Sequence, residues 1–137
     1  MYRLFLRLEG LPKTTNANGR THWSHKMREA KKWRSLTALH ASKQRPEKPL
    51  EKAEVVFTRY SAQSPDFDGL VSSFKHLQDG LIDAGIIVND TMEVLKSTYK
   101  WSKAPIRNGY VTIELFELNG GKDGNEDEKI YEEIQIN

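Results

Sequence analysis

The sequence predicts a small α+β domain, a mixed β-sheet with two main helices on one face. Three observations carry this expectation. Four stretches have strand character, by alternation or by β-branched and aromatic content. Two longer stretches place apolar residues at helical spacing. The 137 residues include no cysteine, which excludes disulfides, zinc ribbons, iron–sulfur sites and thiol nucleophiles. A chain of this length buries about two thirds of its unfolded surface, so one core can form without covalent staples.

The elements follow in chain order. Residues 2–8 alternate, with Tyr2, Leu4, Leu6 and Leu8 on one side and Arg3, Phe5 and Arg7 on the other. That is a strand with one better-buried face. Leu11-Pro12 and the polar run Thr14 to Gly19 end it as a loop. Residues 24–42 read as a helix with Ser24 as its N-cap. Ala30, Trp33, Leu36, Thr37 and Ala41 fall on one arc, with Met27 at its edge. Arg28, Lys31, Lys32 and Arg34 cluster on another side. Residues 43–49 form a charged, proline-punctuated connector. Ala53 to Tyr60 is a second strand, and Ser61 to Pro65 a turn.

Residues 69–84 read as the second helix. Leu70, Phe74, Leu77 and Leu81 make its core stripe, and Gly85 is suited to its C-terminal end. Ile86-Ile87-Val88 is an apolar run closed by Asn89-Asp90. Residues 94–101 and 109–118 supply two more strands, joined by 102–108. The expected division is a domain over 1–118 and an acidic C-terminal tail over 119–137. Within that tail, 119–129 read as a link of Gly, Asn and acid. Ile130, Ile134 and Ile136 leave an edge strand, a short helix or disorder open.

Charge is unevenly spread. Residues 1–52 carry 13 Lys/Arg and 4 Asp/Glu, residues 53–117 carry 6 and 9, and residues 118–137 carry 2 and 6. The net values are therefore +9, −3 and −4. A basic front half suggests a polyanion partner, and converging acids in the middle suggest a cation. No run of ~18 apolar residues exists to span a membrane. The first residues lack the apolar region of a signal peptide. The expectation is a cytoplasmic protein with no membrane partner.

The chemistry concentrates in Pro65-Asp66-Phe67-Asp68-Gly69. If the backbone is extended there, Asp66 and Asp68 point to one side. The alternative is that Asp68 caps the helix that follows. Asp90 returns to the same corner if Ile86–Val88 lies beside the Phe57–Tyr60 strand; the alternative is an ordinary Asn-Asp turn. Three close carboxylates repel unless a divalent cation neutralises them, and hard oxygen donors suit Mg²⁺ or Mn²⁺. Lys75 lies seven residues after Asp68, two turns or ~10 Å along a helix. Its long side chain can snorkel toward the carboxylates or a bound phosphate. Alternatively it is an exposed lysine, or the partner of Asp79 at i+4. His22 and His25 have no third ligand at suitable spacing. There is no Gly-rich phosphate loop and no serine nucleophile elbow.

Asp66-Phe67-Asp68, together with the stretch from Lys75 through Gly85 to Asn89-Asp90, resembles the RusA family of Holliday-junction resolvases. Leu11-Pro12, Asn16, Gly19-Arg20-Thr21-His22 and Ser24 add a weaker match near the N-terminus. Two features depart from the family. Gly69 stands where it usually has Asn, and the spacing from Asp68 to Lys75 is longer. The resemblance implies a small α+β homodimer that binds branched DNA and nicks opposing strands of a four-way junction, with no small-molecule cofactor. Asp66, Asp68 and Asp90 would hold Mg²⁺ (or Mn²⁺), and Lys75 would neutralise charge on the phosphoryl oxygens. Asn16, Arg20, Arg28, Lys31, Lys32, Arg34 and Arg59 are the expected DNA-binding residues. The alternatives are a non-catalytic DNA-binding module, with those cations simply a solvated face, and a related nuclease acting on forks or flaps.

Overall fold

The computed structural model describes residues 1–14 and 23–118. The expectations for Asn16, Arg20, His22 and the tail from residue 119 lie outside the described residues. The elements are β1 (Arg3–Glu9), α1 (Trp23–Ser42), β2 (Ala53–Ser61), α2 (Phe67–Ser73), α3 (Lys75–Asp83), β3 (Leu95–Lys103) and β4 (Tyr110–Glu117). They form a small mixed α+β domain.

The four strands make one sheet in the order β1-β4-β2-β3. β4 runs antiparallel to both β1 and β2, while β2 and β3 pair in parallel from Ala53↔Leu95 to Ser61↔Lys103. A parallel neighbour cannot be reached by a tight turn. The chain between β2 and β3 supplies the crossover, and it contains α2, α3 and the segment leading to Asp90. That crossover leaves the C-terminal end of β2 and enters β3 at its N-terminal end, so Asp66 and Asp90 adjoin opposite ends of the parallel pair.

Alternation in β1 is realised as expected: Leu4, Leu6 and Leu8 are buried between exposed neighbours. They join Val55, Phe57, Val111, Ile113 and Leu115 in one core that also takes Trp33 and Ala41 of α1 and Leu70, Leu77 and Leu81 of α2 and α3. Each such side chain contributes roughly 1.5–3 kcal/mol of burial. Met27, at the edge of the expected arc, is instead 60% exposed. α1 already begins at Trp23, so Ser24 lies in its first turn rather than at the cap.

The helix expected over 69–84 is two helices, broken at Phe74. The Ser72 hydroxyl donates to Gly69 O at 3.1 Å and the Ser73 hydroxyl to Leu70 O at 2.7 Å. These bonds compete with the backbone donors of the next turn, and Phe74 N–H closes on Val71 O at 3.1 Å, a tightened turn. Phe74 itself is fully buried, its ring 4.9 Å from that of Phe57, which in turn lies 5.5 Å from Tyr99. The break is thus pinned to the sheet by an aromatic stack, and Lys75 follows immediately on the solvent side.

α3 packs on α1 at very close range. A Cβ on Gly80 would lie 2.6 Å from Arg34 O and 2.8 Å from Thr37 Cβ, so only glycine lets the backbones approach this far. Beside this crossing Arg34 clamps Asp83, with Nη2 2.9 Å from Oδ1. α3 ends as the sequence indicates. Gly85 has φ 76° and donates to Ile82 O, and Ile86 N–H donates to Leu81 O, both at 3.0 Å, the paired bonds of a Schellman end.

The next segment corrects one expectation. Ile86–Val88 does not lie beside Phe57–Tyr60. It pairs instead with the residue leading into β2: Ile87 bridges Leu50 in parallel, with Leu50 N–H to Ile86 O at 2.8 Å and Val88 N–H to Leu50 O at 3.1 Å. β4 and β3 already occupy both edges of β2, so no ladder position is left there.

Candidate active site

Asp66 is the N-cap of α2. Its backbone is extended (φ −71°, ψ 165°), and its Oδ1 accepts from Gly69 N–H at 3.0 Å. The cap is therefore Asp66, and the alternative that Asp68 caps the helix is not realised. The backbone turns helical at Phe67, so Asp68 sits in the first turn of α2, exposed. Residues two apart on a helix do not share a side, and the extended geometry that would align the two carboxylates is not present. Asp68 remains well placed electrostatically, since an acid in a first turn meets the positive end of the peptide dipoles.

Asp66 lines a cleft of about 710 Å³ between the loop after β1, the turn after β2 and the β3–β4 connection, with Lys13, Arg59 and Arg107 in its walls. Arg59 is 8% exposed. Its Nη1 donates to the Pro12 carbonyl, and burial lowers its pKa from the usual guanidinium value. It is a pillar of the cleft rather than a surface cation. Arg107 has φ 80°, a conformation that costs a side-chain-bearing residue roughly 1–2 kcal/mol.

Lys75 and Asp90 meet. Lys75 Nζ lies 3.2 Å from Asp79 Oδ1 and 3.7 Å from Asp90 Oδ2. Hydrogen bonding to Asp79 raises the lysine pKa above its ordinary value, and attraction to Asp79 and Asp90 adds to it. The ammonium is fully charged at neutral pH. Asp90 Oδ2 also accepts from Gln78 Nε2 at 3.0 Å, and Ser97 Oγ reaches Gln78 Oε1 at 3.5 Å. The turn after Asp90 is closed by Asn89, whose Oδ1 accepts from Thr91 N–H and from its hydroxyl, at 3.0 and 2.8 Å. Asn89 does the work of the turn, which leaves the Asp90 carboxylate to Gln78 and Lys75. On its other side Lys75 borders a hollow of about 290 Å³ shared with Lys13, Lys26 and His76.

Gln78 is the member that sequence reasoning missed. Its signal was its place one turn after Lys75, on the helix face that Asp90 approaches. Among the described residues, no group of three or more His, Cys, Asp or Glu side chains is placed to hold a metal ion. Asp66, Asp68 and Asp90 are not gathered into one cage. The donors suit a hard divalent cation in kind, being carboxylate oxygens, but not in their present positions.

The expected DNA-binding residues of α1 divide in two. Arg28, Lys31 and Lys32 are exposed, with Lys32 Nζ 5.2 Å from the Trp33 ring centre. Arg34 is committed to Asp83. Trp33 is buried, and its indole N–H donates to Glu29 Oε1 one turn earlier at 2.8 Å; the same oxygen accepts from Lys13 N–H at 3.3 Å, which ties α1 to the segment after β1. Among the described residues, no helix is long and apolar enough to cross a membrane. No protein-family model matches the chain, and no curated protein matches it.

Proposed function

We propose that the chain is a metal-dependent endodeoxyribonuclease of the RusA type, acting as a homodimer on four-way DNA junctions by paired, symmetric phosphodiester hydrolysis. The observation that carries this reading is the meeting of Lys75 with Asp90 and Asp79. A charged ammonium and two carboxylates come together from two segments at the surface, next to a hollow lined by Lys13, Lys26 and Glu29. The reading requires Mg²⁺ or Mn²⁺. Asp66, Asp68 and Asp90 stand apart among the described residues and would have to be drawn together to hold it; the ion would then supply an activated water and stabilisation of the leaving 3′-oxygen.

The chain's own residues do the rest. Lys75 places a permanent positive charge where charge develops on the phosphoryl oxygens. Gln78 orients the Asp90 carboxylate. Arg28, Lys31 and Lys32 contact backbone phosphates and position the duplex arms without reading bases. A C₂ dimer presents the same site to two equivalent strands of a two-fold junction.

A second reading has its own observation. Asp66 works as a cap and Asp90 is satisfied by Gln78 and Lys75, as in a non-catalytic DNA-binding module. The deciding experiment incubates the chain with a synthetic four-way junction, a fork and a linear duplex in Mg²⁺ and in Mn²⁺. The nuclease reading expects paired nicks in the junction, lost in Asp90→Asn with binding retained. Junction binding with no cleavage in either metal establishes the module. Preferential cleavage of the fork establishes the fork or flap nuclease.

A further inference from the structure

The helices pack on the sheet face that carries Leu4, Phe57 and Ile113, and the other face is open. Strand register lays the open face out in four rows. The outer rows are Arg3, Phe116, Glu54 and Lys96 at one end and Glu9, Tyr110, Tyr60 and Ser102 at the other. The inner rows run from Phe5 through Glu114 to Val56 and from Arg7 through Thr112 to Thr58. A groove of about 540 Å³ on this face is lined by Glu54, Glu114 and Glu117 as well as by Arg3 and Lys100. Its carboxylates repel a polyanion, so a nucleic-acid strand does not suit it. The face also leaves apolar surface and polar atoms uncovered or unpaired. Phe5 is 55% exposed. Glu54 and Thr112 are buried, and Glu54 Oε2 and Thr112 Oγ1 have no hydrogen-bond partner among the described residues. Such orphaned atoms cost free energy, which a docked surface with a donor and an acceptor in the right places relieves.

We propose that a second copy of the chain covers this face, sheet on sheet, about a two-fold axis that runs across the strands between the two inner rows. The proposal rests on the homodimer reading above and names its surface. A two-fold contact sets a patch against itself, and this axis sets each outer row against the opposite outer row of the second copy. Arg3 then faces Glu9 of the second copy, and Phe116 faces its Tyr110. Glu54 faces the Tyr60 hydroxyl of the second copy, the donor that its Oε2 lacks, and Thr112 faces Glu114, an acceptor for the orphaned Oγ1. The other axis in the plane, along the strands, sets Arg3 against Lys96 and Arg7 against Lys100, like charge on like. Each chain holds its half of the contact ready. The Arg3 guanidinium lies 5.5 Å from the centre of the Phe116 ring, and Glu9 Oε1 accepts from Arg7 Nε at 2.8 Å. Stacked sheets stand ~10 Å apart and aligned within about 30°, a gap that an arginine and a glutamate bridge together. The helices of both copies stay outside, where Arg28, Lys31 and Lys32 remain exposed.

Charge exchange tests the contact. Arg3 and Glu9 are both exposed and stand six residues apart on β1, ~20 Å at strand rise, so they do not pair within one chain. Sedimentation velocity of the full chain over a concentration series should show a monomer–dimer equilibrium. Arg3→Glu and Glu9→Arg should each weaken the dimer about 10-fold, because a two-fold interface counts every pair twice. An equal mixture of the two variants should restore it, and so should the double variant Arg3→Glu/Glu9→Arg. Three results overturn the proposal: a monomer at every concentration, a dimer indifferent to both reversals, or a loss that neither the mixture nor the double variant restores. Junction cleavage is read on the same samples. Paired nicks from a dimer indifferent to the reversals leave the nuclease reading standing and move its interface to another face, whereas a monomer at every concentration removes the homodimer as well.

Discussion

Asp66 sits where a structural role and a chemical role can be separated by one atom. Its Oδ1 accepts the Gly69 N–H at 3.0 Å, and Asp66→Ala leaves that first-turn donor without its cap. The cost of losing such a cap is ~1 kcal/mol, within about 0.5–2. For a folded unit of this size that lowers the melting temperature by roughly 3–6 °C. Asp66→Asn keeps a carbonyl oxygen at the same place, and Asn caps about as well as Asp, so its melting temperature should stay near wild type. Cleavage should behave differently. The amide removes the negative oxygen that a divalent cation needs, and both variants should lose at least ~100-fold in junction cleavage, about 2.7 kcal/mol of barrier. Thermal melts by circular dichroism and single-turnover cleavage in Mg²⁺ read the two effects apart. If Asp66→Asn cleaves like wild type, Asp66 is only a cap. If it melts as low as Asp66→Ala, the capping bond is wrongly assigned.

Other perturbations probe the scaffold and the interface. Gly80→Ala gains up to ~1 kcal/mol of helix propensity, yet its Cβ meets Arg34 O at 2.6 Å. Overpacking of about 1–3 kcal/mol against backbone should win, and a rise in urea midpoint would contradict the close α1–α3 crossing. Replacing Arg28, Lys31 and Lys32 together by Ala should reduce the slope of log binding constant against log salt by about 3, measured by fluorescence anisotropy on junction DNA; an unchanged slope would remove α1 from the interface. Hydrogen bonding from Arg34 holds the Asp83 carboxyl below its ordinary pKa. The stability it contributes is present above the ordinary carboxylate value of ~3.9 and lost as pH falls through the lower folded value. Asp83→Asn should therefore flatten the acid limb of a stability–pH curve, with a small amplitude because the pair is solvent-facing.

The residues alone decide a good deal here. Alternation in Leu4, Leu6 and Leu8, the spacing of Leu70, Phe74, Leu77 and Leu81, and Gly85 with its φ of 76° are local patterns, and local patterns survive into the fold because burial and backbone sterics act on neighbours in sequence. What the residues leave open is how distant segments meet. The break at Phe74 depends on an aromatic stack with Phe57 and Tyr99 from two strands. The partnership of Gln78 with Asp90 depends on where the crossover returns, and the move of Ile86–Val88 to Leu50 on β4 and β3 having taken both sides of β2. Asp66 rather than Asp68 becomes the cap because the helix starts at Phe67. A periodic pattern tells which face is apolar, but only three-dimensional packing tells which surface it finds, and that is a competition among long-range contacts the pattern does not encode.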